Sequence, residues 1–195
     1  MQRALLKNIN TPRYWNKLLK SGEWGKDRGR LHAKIATFLP RNQKLTCLDI
    51  GCATGHGTAV LAERRPLISF EGCDFSASGI RAARQAHGKQ ARFFLHDVRK
   101  DRLEKDYDYI LLIETLEHLD KPLETILKYL PHCRKALLAT VPYNETPGKW
   151  KEHVHTFNEH SFHQLPQPPN HHIFPKPDPK PHQQIILYQF HKDKG

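Results

Sequence analysis

The chain has 195 residues, the size of one domain with a single buried core, and 38% of the residues are hydrophobic. Lysine and arginine number 31 against 20 acidic residues, so the formal net charge is +11. No apolar run approaches about 18 residues, and residues 1–6 are too short and polar for a secretory signal. We therefore expect a cytoplasmic protein without a membrane span. The four cysteines form no CxxC pair, which excludes a zinc ribbon and a disulfide scaffold and favours free thiols.

Most of the net positive charge lies near the N-terminus. Residues 1–46 hold eleven lysines and arginines and two acidic residues, which gives +9 of the total. This charge indicates either solvated helix faces or a surface that faces an anion such as nucleic acid or phosphate. The sequence leaves both interpretations open.

Two short helices are predicted before residue 41. Thr11 followed by Pro12 is a typical N-cap with proline at the first helical position, and Gly22 is a natural stop. The apolar spacing predicts a second helix from about 29 to 39, which Pro40 ends.

From residue 45 onwards, short apolar runs alternate with helical stretches. Strands are predicted over 45–50, 67–73, 91–96, 107–113 and 135–141, and helices over 58–65, 78–87 and 122–130. This alternation predicts a parallel sheet with helices on both faces.

The C-terminal part is rich in proline and histidine. A short helix is predicted after Asn158, with Phe162 and Leu165 on its apolar side. The apolar run over 184–190 pairs naturally with 171–174 in a closing hairpin. One reversed strand is therefore expected near the C-terminal edge of the sheet.

A glycine-rich turn joins the first predicted strand to the helix that follows. Its pattern over 49–57 is D-x-G-x-x-x-G-x-G, so backbone N–H groups at the start of the helix can face a ligand. The acid in this turn, Asp49, would repel a pyrophosphate but suits an ammonium or sulfonium group. A second acid, Asp74, ends the next strand, where a carboxylate can accept both hydroxyls of a ribose.

These residues resemble the class I S-adenosylmethionine-dependent methyltransferases over about residues 45–162. Four motifs follow the order and spacing of that family: the glycine loop, Gly72-x-Asp74-x-Ser76, Asp97-Val98, and the segment over 113–122. Ala53 stands where the family more often has glycine. The resemblance implies an α/β fold with a Rossmann-like, seven-stranded, mostly parallel sheet and S-adenosylmethionine as the cofactor.

The same resemblance implies one methyltransferase domain over 1–195, with a helical cap over 1–40, a cofactor-binding core over 45–141, and a substrate loop and hairpin over 142–195. It assigns the cofactor to residues that follow the strands: Asp49, Gly51, Gly55, Asp74, Phe75, Asp97, Val98 and Glu114. Tyr14 either closes over the methionine end of the cofactor or packs beneath Trp15.

The methyl group of S-adenosylmethionine is already activated, so the protein has to align the acceptor and remove a proton where needed. Glu117, His118 and His153 are the expected catalytic residues. A small molecule methylated on oxygen or nitrogen is the favoured acceptor, because of the compact size of the chain. A non-catalytic cofactor-binding protein on the same scaffold is a further possibility.

The segment Glu114-x-x-Glu117-His118 also resembles the small-RNA terminal 2′-O-methyltransferases, which use such a motif and a distant histidine to bind a divalent ion. On that resemblance Glu114, Glu117, His118 and His153 are the metal ligands, and the basic N-terminal residues hold the RNA backbone. Metal-free members of the class carry the same motif, so a site without metal is favoured.

Overall fold

The computed structural model describes residues 9–21, 29–146, 148–177 and 183–192. Seven strands form one sheet: β1 (Leu45–Ile50), β2 (Ile68–Asp74), β3 (Arg92–Leu95), β4 (Tyr107–Ile113), β5 (Cys133–Pro142), β6 (Asn170–Pro175) and β7 (Gln184–Phe190). Their order is β3-β2-β1-β4-β5-β7-β6. β1 to β5 are parallel, and β7 runs antiparallel to both β5 and the edge strand β6. The predicted sheet and its reversed strand near the C-terminal edge are confirmed.

The described residues also form five α-helices. They are α1 (Pro12–Leu18), α2 (Gly29–Ile35), α3 (His56–Arg64), α4 (Ala77–His87) and α5 (Pro122–Tyr129). As predicted, the Thr11 hydroxyl caps α1 by accepting a hydrogen bond from the backbone N–H of Tyr14. α2 is shorter than expected, because its last predicted turn is a 3-10 helix over Ala36–Phe38. Gly22 lies outside the described residues.

The core lies on both faces of the sheet because side chains alternate along each strand. In β1, Cys47 belongs to the apolar cluster that packs under α2, α3 and α4, and its neighbour Leu48 belongs to the cluster on the other face. That second cluster includes Tyr129 of α5 and Phe162. Because β1 to β5 are parallel, their carboxyl ends meet at one edge of this sheet.

The predicted helix after Asn158 is wrong. Residues 159–164 form turns. Local side-chain bonds compete with the helix here: the Asn158 carbonyl Oδ1 accepts from the backbone N–H of His160, and Ser161 Oγ accepts from the backbone N–H of Asn158. Phe162 and Leu165 are nevertheless buried. The apolar pattern therefore predicted the burial of these side chains correctly and the backbone conformation incorrectly.

The predicted closing hairpin is confirmed as β6 and β7, and its connecting residues 178–182 lie outside the described ranges. None of the helices in the described part of the chain has the length and hydrophobicity that membrane crossing requires.

Candidate active site

A pocket opens at the carboxyl ends of β1, β2 and β4. The open space within the pocket and its mouth is about 690 Å³. Six of the residues expected to bind a cofactor line it: Gly51, Asp74, Phe75, Asp97, Val98 and Glu114. One expected catalytic residue, His118, lines it too.

The floor of the pocket is the glycine turn between β1 and α3. Gly51 has a φ of 83°, a region that residues with a side chain rarely adopt, and its backbone N–H donates to the carbonyl of Cys73 (2.8 Å). A Cβ at Gly51 would lie 3.0 Å from Cγ2 of Thr115 and closer still to its hydroxyl oxygen. A Cβ at Gly55 would lie 2.8 Å from two ring carbons of Phe93. The turn is therefore as tight as the motif predicted.

Asp74 stands at the end of β2 with its carboxylate in the pocket wall. Oδ2 accepts from the backbone N–H of Ala53 (3.0 Å), and Oδ1 accepts from that of Ser76 (2.8 Å). The residue is 6% exposed. Burial raises the pKa of Asp74 to about 6, although the two backbone hydrogen bonds favour the ionised form. Each carboxylate oxygen keeps a further lone pair that a ligand hydroxyl can use.

Asp49 is 1% exposed and faces the helical layer behind the glycine turn. Its Oδ2 accepts from the hydroxyl of Thr58 in α3 (2.5 Å) and lies 3.8 Å from Nε2 of His32 in α2. Burial raises the pKa of Asp49, and His32 and the Thr58 hydrogen bond act in the opposite direction. His32 was not identifiable from the sequence, because only the fold brings it into contact with Asp49.

Arg99 occupies the end of the pocket beyond β3. Its Nε and Nη2 donate to the two carboxylate oxygens of Asp97 (2.8 and 2.7 Å), and its Cζ lies 4.8 Å from the ring centroid of Phe75. The hydrogen bond from Arg99 holds the pKa of Asp97 below its usual range. No motif had singled out Arg99.

Asn10 ties the N-terminal segment to the pocket. Its Oδ1 accepts from Nε1 of Trp15 (3.0 Å), its Nδ2 donates to the carbonyl of Glu152 (2.8 Å), and its own carbonyl accepts from Nη1 of Arg99 (3.0 Å). Asn10 and Trp15 both line the pocket. Tyr14 turns towards Glu152, to whose carboxylate its hydroxyl donates. Burial, with the bond to Glu152, raises the pKa of Tyr14 to about 12.

Glu114 follows β4 with a φ of 51°. Its Oε2 lies 2.5 Å from Nζ of Lys176, the residue that directly follows β6. Both side chains are largely buried. The sequence offered no signal for Lys176, since the two residues are separated by 62 positions.

Glu117, His118 and His153 lie together, as the sequence predicted. One carboxylate oxygen and one ring nitrogen from each histidine lie within 4.8 Å of one another. Nδ1 of His118 is 3.1 Å from the carbonyl of Glu152, and Nδ1 of His153 bonds the carboxylate of Glu145. Because carbonyl and carboxylate oxygens accept hydrogen bonds, Nδ1 of each histidine is the donor in these contacts.

The sequence matches the family described as "Methyltransferase domain" over residues 48–139. It is 29% identical over 136 residues to the trans-aconitate 2-methyltransferase of Azoarcus sp. (strain BH72), an alignment that covers 64% of this chain and 53% of that protein. It is also 29% identical over 105 residues to the malonyl-[acyl-carrier protein] O-methyltransferase of Bacillus anthracis, covering 52% and 39%. The chain thus spans about half or less of these curated relatives.

Solved methyltransferase structures share the fold at low sequence identity. The putative methyltransferase in complex with the Haloferax volcanii Trm112 activator has a TM-score of 0.74 at 14% identity, covering 95% of this chain and 100% of that one. The plantazolicin methyltransferase BpumL, bound to SAH, has a TM-score of 0.66 at 15% identity, covering 93% and 90%. Coclaurine N-methyltransferase has a TM-score of 0.61 at 16% identity, covering 76% and 50%. Residues 48–139 thus match a methyltransferase domain family, and the chain shares the fold of solved methyltransferases.

Proposed function

We propose that the protein transfers a methyl group from S-adenosylmethionine to a small-molecule acceptor and leaves S-adenosylhomocysteine. The observation that carries this proposal is Asp74, whose buried carboxylate is held at the pocket edge of β2 by two backbone N–H groups. A carboxylate at this place suits the two hydroxyls of a ribose. Two of the similar proteins are named for small acceptors, trans-aconitate and coclaurine, which supports an acceptor of that size.

The donor set of the pocket fits S-adenosylmethionine. We assign Asp74 to the ribose, Phe75, Asp97 and Val98 to the adenine, and Gly51 with Glu114 to the methionine end. Asp49 and Gly55 support the glycine turn from behind, and Tyr14 closes the site by way of Glu152. The sulfonium of the cofactor supplies an activated methyl group, so the chain itself has to position the acceptor and hold its proton.

The acceptor side of the pocket is assigned to Glu117, His118 and His153. His118 lines the pocket, and its Nε2 is the lone-pair nitrogen if the ring is neutral, so it serves as the proton acceptor. Glu117 and His153 lie beside it and orient the acceptor within about 3–3.5 Å of the methyl carbon. The whole chain is one domain in this proposal, with 1–40 as the cap, 45–141 as the cofactor core and 142–195 as the substrate loop and hairpin.

A reducing cytoplasm is the proposed location. All four cysteines are free and buried, which suits a compartment that keeps thiols reduced.

Methyl transfer tests the proposal. The protein is incubated with S-adenosylmethionine labelled in its methyl group and a panel of small acids, amines and alcohols. Label recovered in one class of acceptor, and lost in His118→Ala, supports the proposal. A protein that binds the cofactor and labels none of the panel contradicts the small-molecule part of it.

We expect the affinity for S-adenosylhomocysteine to fall as the pH drops through about 6. The pKa of Asp74 is about 6 in the free protein, and the ribose hydroxyls donate to the ionised carboxylate. Below that pH the Asp74 carboxyl of the free protein is protonated, so ligand binding must release its proton. The affinity should therefore fall about tenfold per pH unit. Calorimetry at pH 5.0 and 7.5 at constant ionic strength checks this; equal affinities at the two values would disagree with the role given to Asp74.

A divalent-metal-dependent RNA 2′-O-methyltransferase is the second candidate. The observation that favours it is the close approach of Glu117, His118 and His153, each of which offers one ligand atom. Glu114, the fourth ligand in this candidate, has its Oε2 beside Lys176. The exposed basic residues of the N-terminal segment would hold the RNA backbone.

We expect no stoichiometric Mn²⁺ binding to protein that has been exhaustively chelated and then saturated with S-adenosylhomocysteine. The reason is that Glu114 is held by Lys176, so three ligands converge on the site from the residues that the structure describes. Calorimetric titration of Mn²⁺ checks this. One bound ion per chain that disappears in both His118→Ala and His153→Ala would move the RNA enzyme to first place, and short RNA 3′ ends would then be tested.

A further inference from the structure

We infer that Lys176 is a positioning residue of the cofactor site, whose ammonium group holds the carboxylate of Glu114 in place for the amino group at the methionine end of the cofactor. This inference rests on the proposed function, which assigns Glu114 to that end, and it adds a residue of the C-terminal hairpin to the site. Three observations support it: the ion pair itself, the strained backbone of Glu114, and the fixed attachment of the segment that carries Lys176.

The ion pair joins two largely buried side chains. Nζ of Lys176 donates to Oε2 of Glu114 over 2.5 Å, and the two side chains are 15% and 6% exposed. A carboxylate in such a place requires charged or hydrogen-bonding partners, because burial removes the water that would otherwise stabilise it. A carboxylate has sites for about four hydrogen bonds, so the bond to Lys176 is compatible with a further bond to a ligand ammonium group.

The backbone of Glu114 also depends on its surroundings. Its φ of 51° lies in the left-handed region, which residues with a side chain rarely adopt. Its N–H donates to the carbonyl of Thr140 in β5 (2.9 Å), and the residue lines the pocket together with Gly51. Strained conformations persist where several contacts determine them, and they are concentrated at functional sites. The bond to Lys176 is one of these contacts, so its loss should let the Glu114 side chain leave its position.

Lys176 is presented by a segment that is itself fixed. Its backbone N–H donates to the carbonyl of Gln183 (2.8 Å), which continues the β6–β7 ladder by one pair. Pro175 and Pro177 flank Lys176 and restrict its backbone. Gln183 in turn donates from Nε2 to the carboxylate of Glu145 (2.9 Å). A site residue is held most precisely by a rigid element, and these contacts supply that rigidity.

A positioning role and a purely structural ion pair have different consequences for ligand binding. Loss of a structural pair would weaken the binding of the adenosine end and of the methionine end alike, because it would act through the fold. Loss of a positioning residue would weaken the methionine end alone. The two ends can be separated experimentally, since 5′-methylthioadenosine keeps the adenosine and the thioether sulfur of S-adenosylhomocysteine and lacks its amino acid group.

The test measures the affinities of both ligands for the wild-type protein and for Lys176→Met by calorimetry at pH 7.5. We expect the variant to bind S-adenosylhomocysteine at least tenfold more weakly, and 5′-methylthioadenosine within twofold of the wild type. Unchanged affinity for S-adenosylhomocysteine overturns the inference. If both affinities fall equally, Lys176→Gln is measured, because it keeps a hydrogen-bond donor and removes the charge. Equal losses, or no loss, in that variant also overturn the inference.

A double variant shows whether Lys176 acts through Glu114. Once Glu114→Gln has removed the carboxylate, the addition of Lys176→Met should lower the affinity for S-adenosylhomocysteine by less than twofold further, because residues that act as one unit have non-additive effects. Fully additive losses overturn the inference.

Lys105→Met is the matched control. Nζ of Lys105 lies 2.6 Å from the largely buried carboxylate of Glu71, and neither residue lines the pocket. This variant should bind both ligands within twofold of the wild type, and a selective loss of S-adenosylhomocysteine in it would overturn the inference. A wild-type protein that binds neither ligand overturns the proposed function instead.

Discussion

Asp74→Ala should lower the affinity for S-adenosylhomocysteine at least 100-fold. The substitution removes the carboxylate that we assign to the two ribose hydroxyls, and hydrogen bonds to a charged group contribute about 1.5–3 kcal/mol each. It also releases the backbone N–H groups of Ala53 and Ser76, which the carboxylate holds in place (3.0 and 2.8 Å). Equilibrium titration of the ligand into the purified variant measures the loss.

Asp108→Ala is the matched control for that prediction. Like Asp74, Asp108 accepts a hydrogen bond from a backbone N–H, that of Thr46 (2.8 Å); its Oδ1 accepts a second from Nε of Arg134 (3.1 Å). It lies near the amino end of β4, away from the pocket. We expect its loss to leave ligand affinity within twofold of the wild type. An Asp74→Ala protein that binds normally would remove the main support for the cofactor site.

Gly51→Ala should lower the free energy of unfolding by about 2–5 kcal/mol. The left-handed backbone at Gly51 costs a residue with a side chain about 1–2 kcal/mol, and its φ is 83°. The new methyl group would also press on Thr115, whose Cγ2 would be 3.0 Å away. Overpacking of this kind costs about 1–3 kcal/mol more. Denaturant unfolding of the apo protein measures the change.

Gly148→Ala separates the two causes. Gly148 has the same φ of 83°, but apart from its chain neighbours no described residue would have a heavy atom within 4 Å of a Cβ there. It should therefore show the backbone cost alone, about 1–2 kcal/mol. Equal losses in the two variants would mean that contact with Thr115 contributes nothing and that the turn has room for a side chain.

Regular elements were predictable where a local rule dominates. The bounds of β1 and β4 agree with the apolar runs, because a strand buried on both faces reads as a continuous apolar segment. The glycine turn and Asp74 were identifiable because the tight connection demands small residues at fixed spacing. The prediction of a helix after Asn158 was wrong for a local reason as well, since side-chain hydrogen bonds replace the helical ones there.

The wall of the pocket was less predictable, because its contacts join distant parts of the chain. Asn10 meets Glu152 across 142 positions, and Lys176 meets Glu114 across 62. Arg99 is close in sequence to Asp97, but an arginine two residues after an acidic residue does not by itself predict a contact between them. Single residues of this kind have no periodicity or spacing that marks them, so only the fold reveals them.

The most direct test of the cofactor site is a calorimetric titration of S-adenosylhomocysteine into the wild-type protein at pH 7.5. We predict one molecule bound per chain with micromolar affinity, and an unfolding temperature that rises with ligand concentration. A titration without heat of binding, together with an unchanged unfolding temperature, would contradict the assignment and leave a methyltransferase fold that does not use the cofactor.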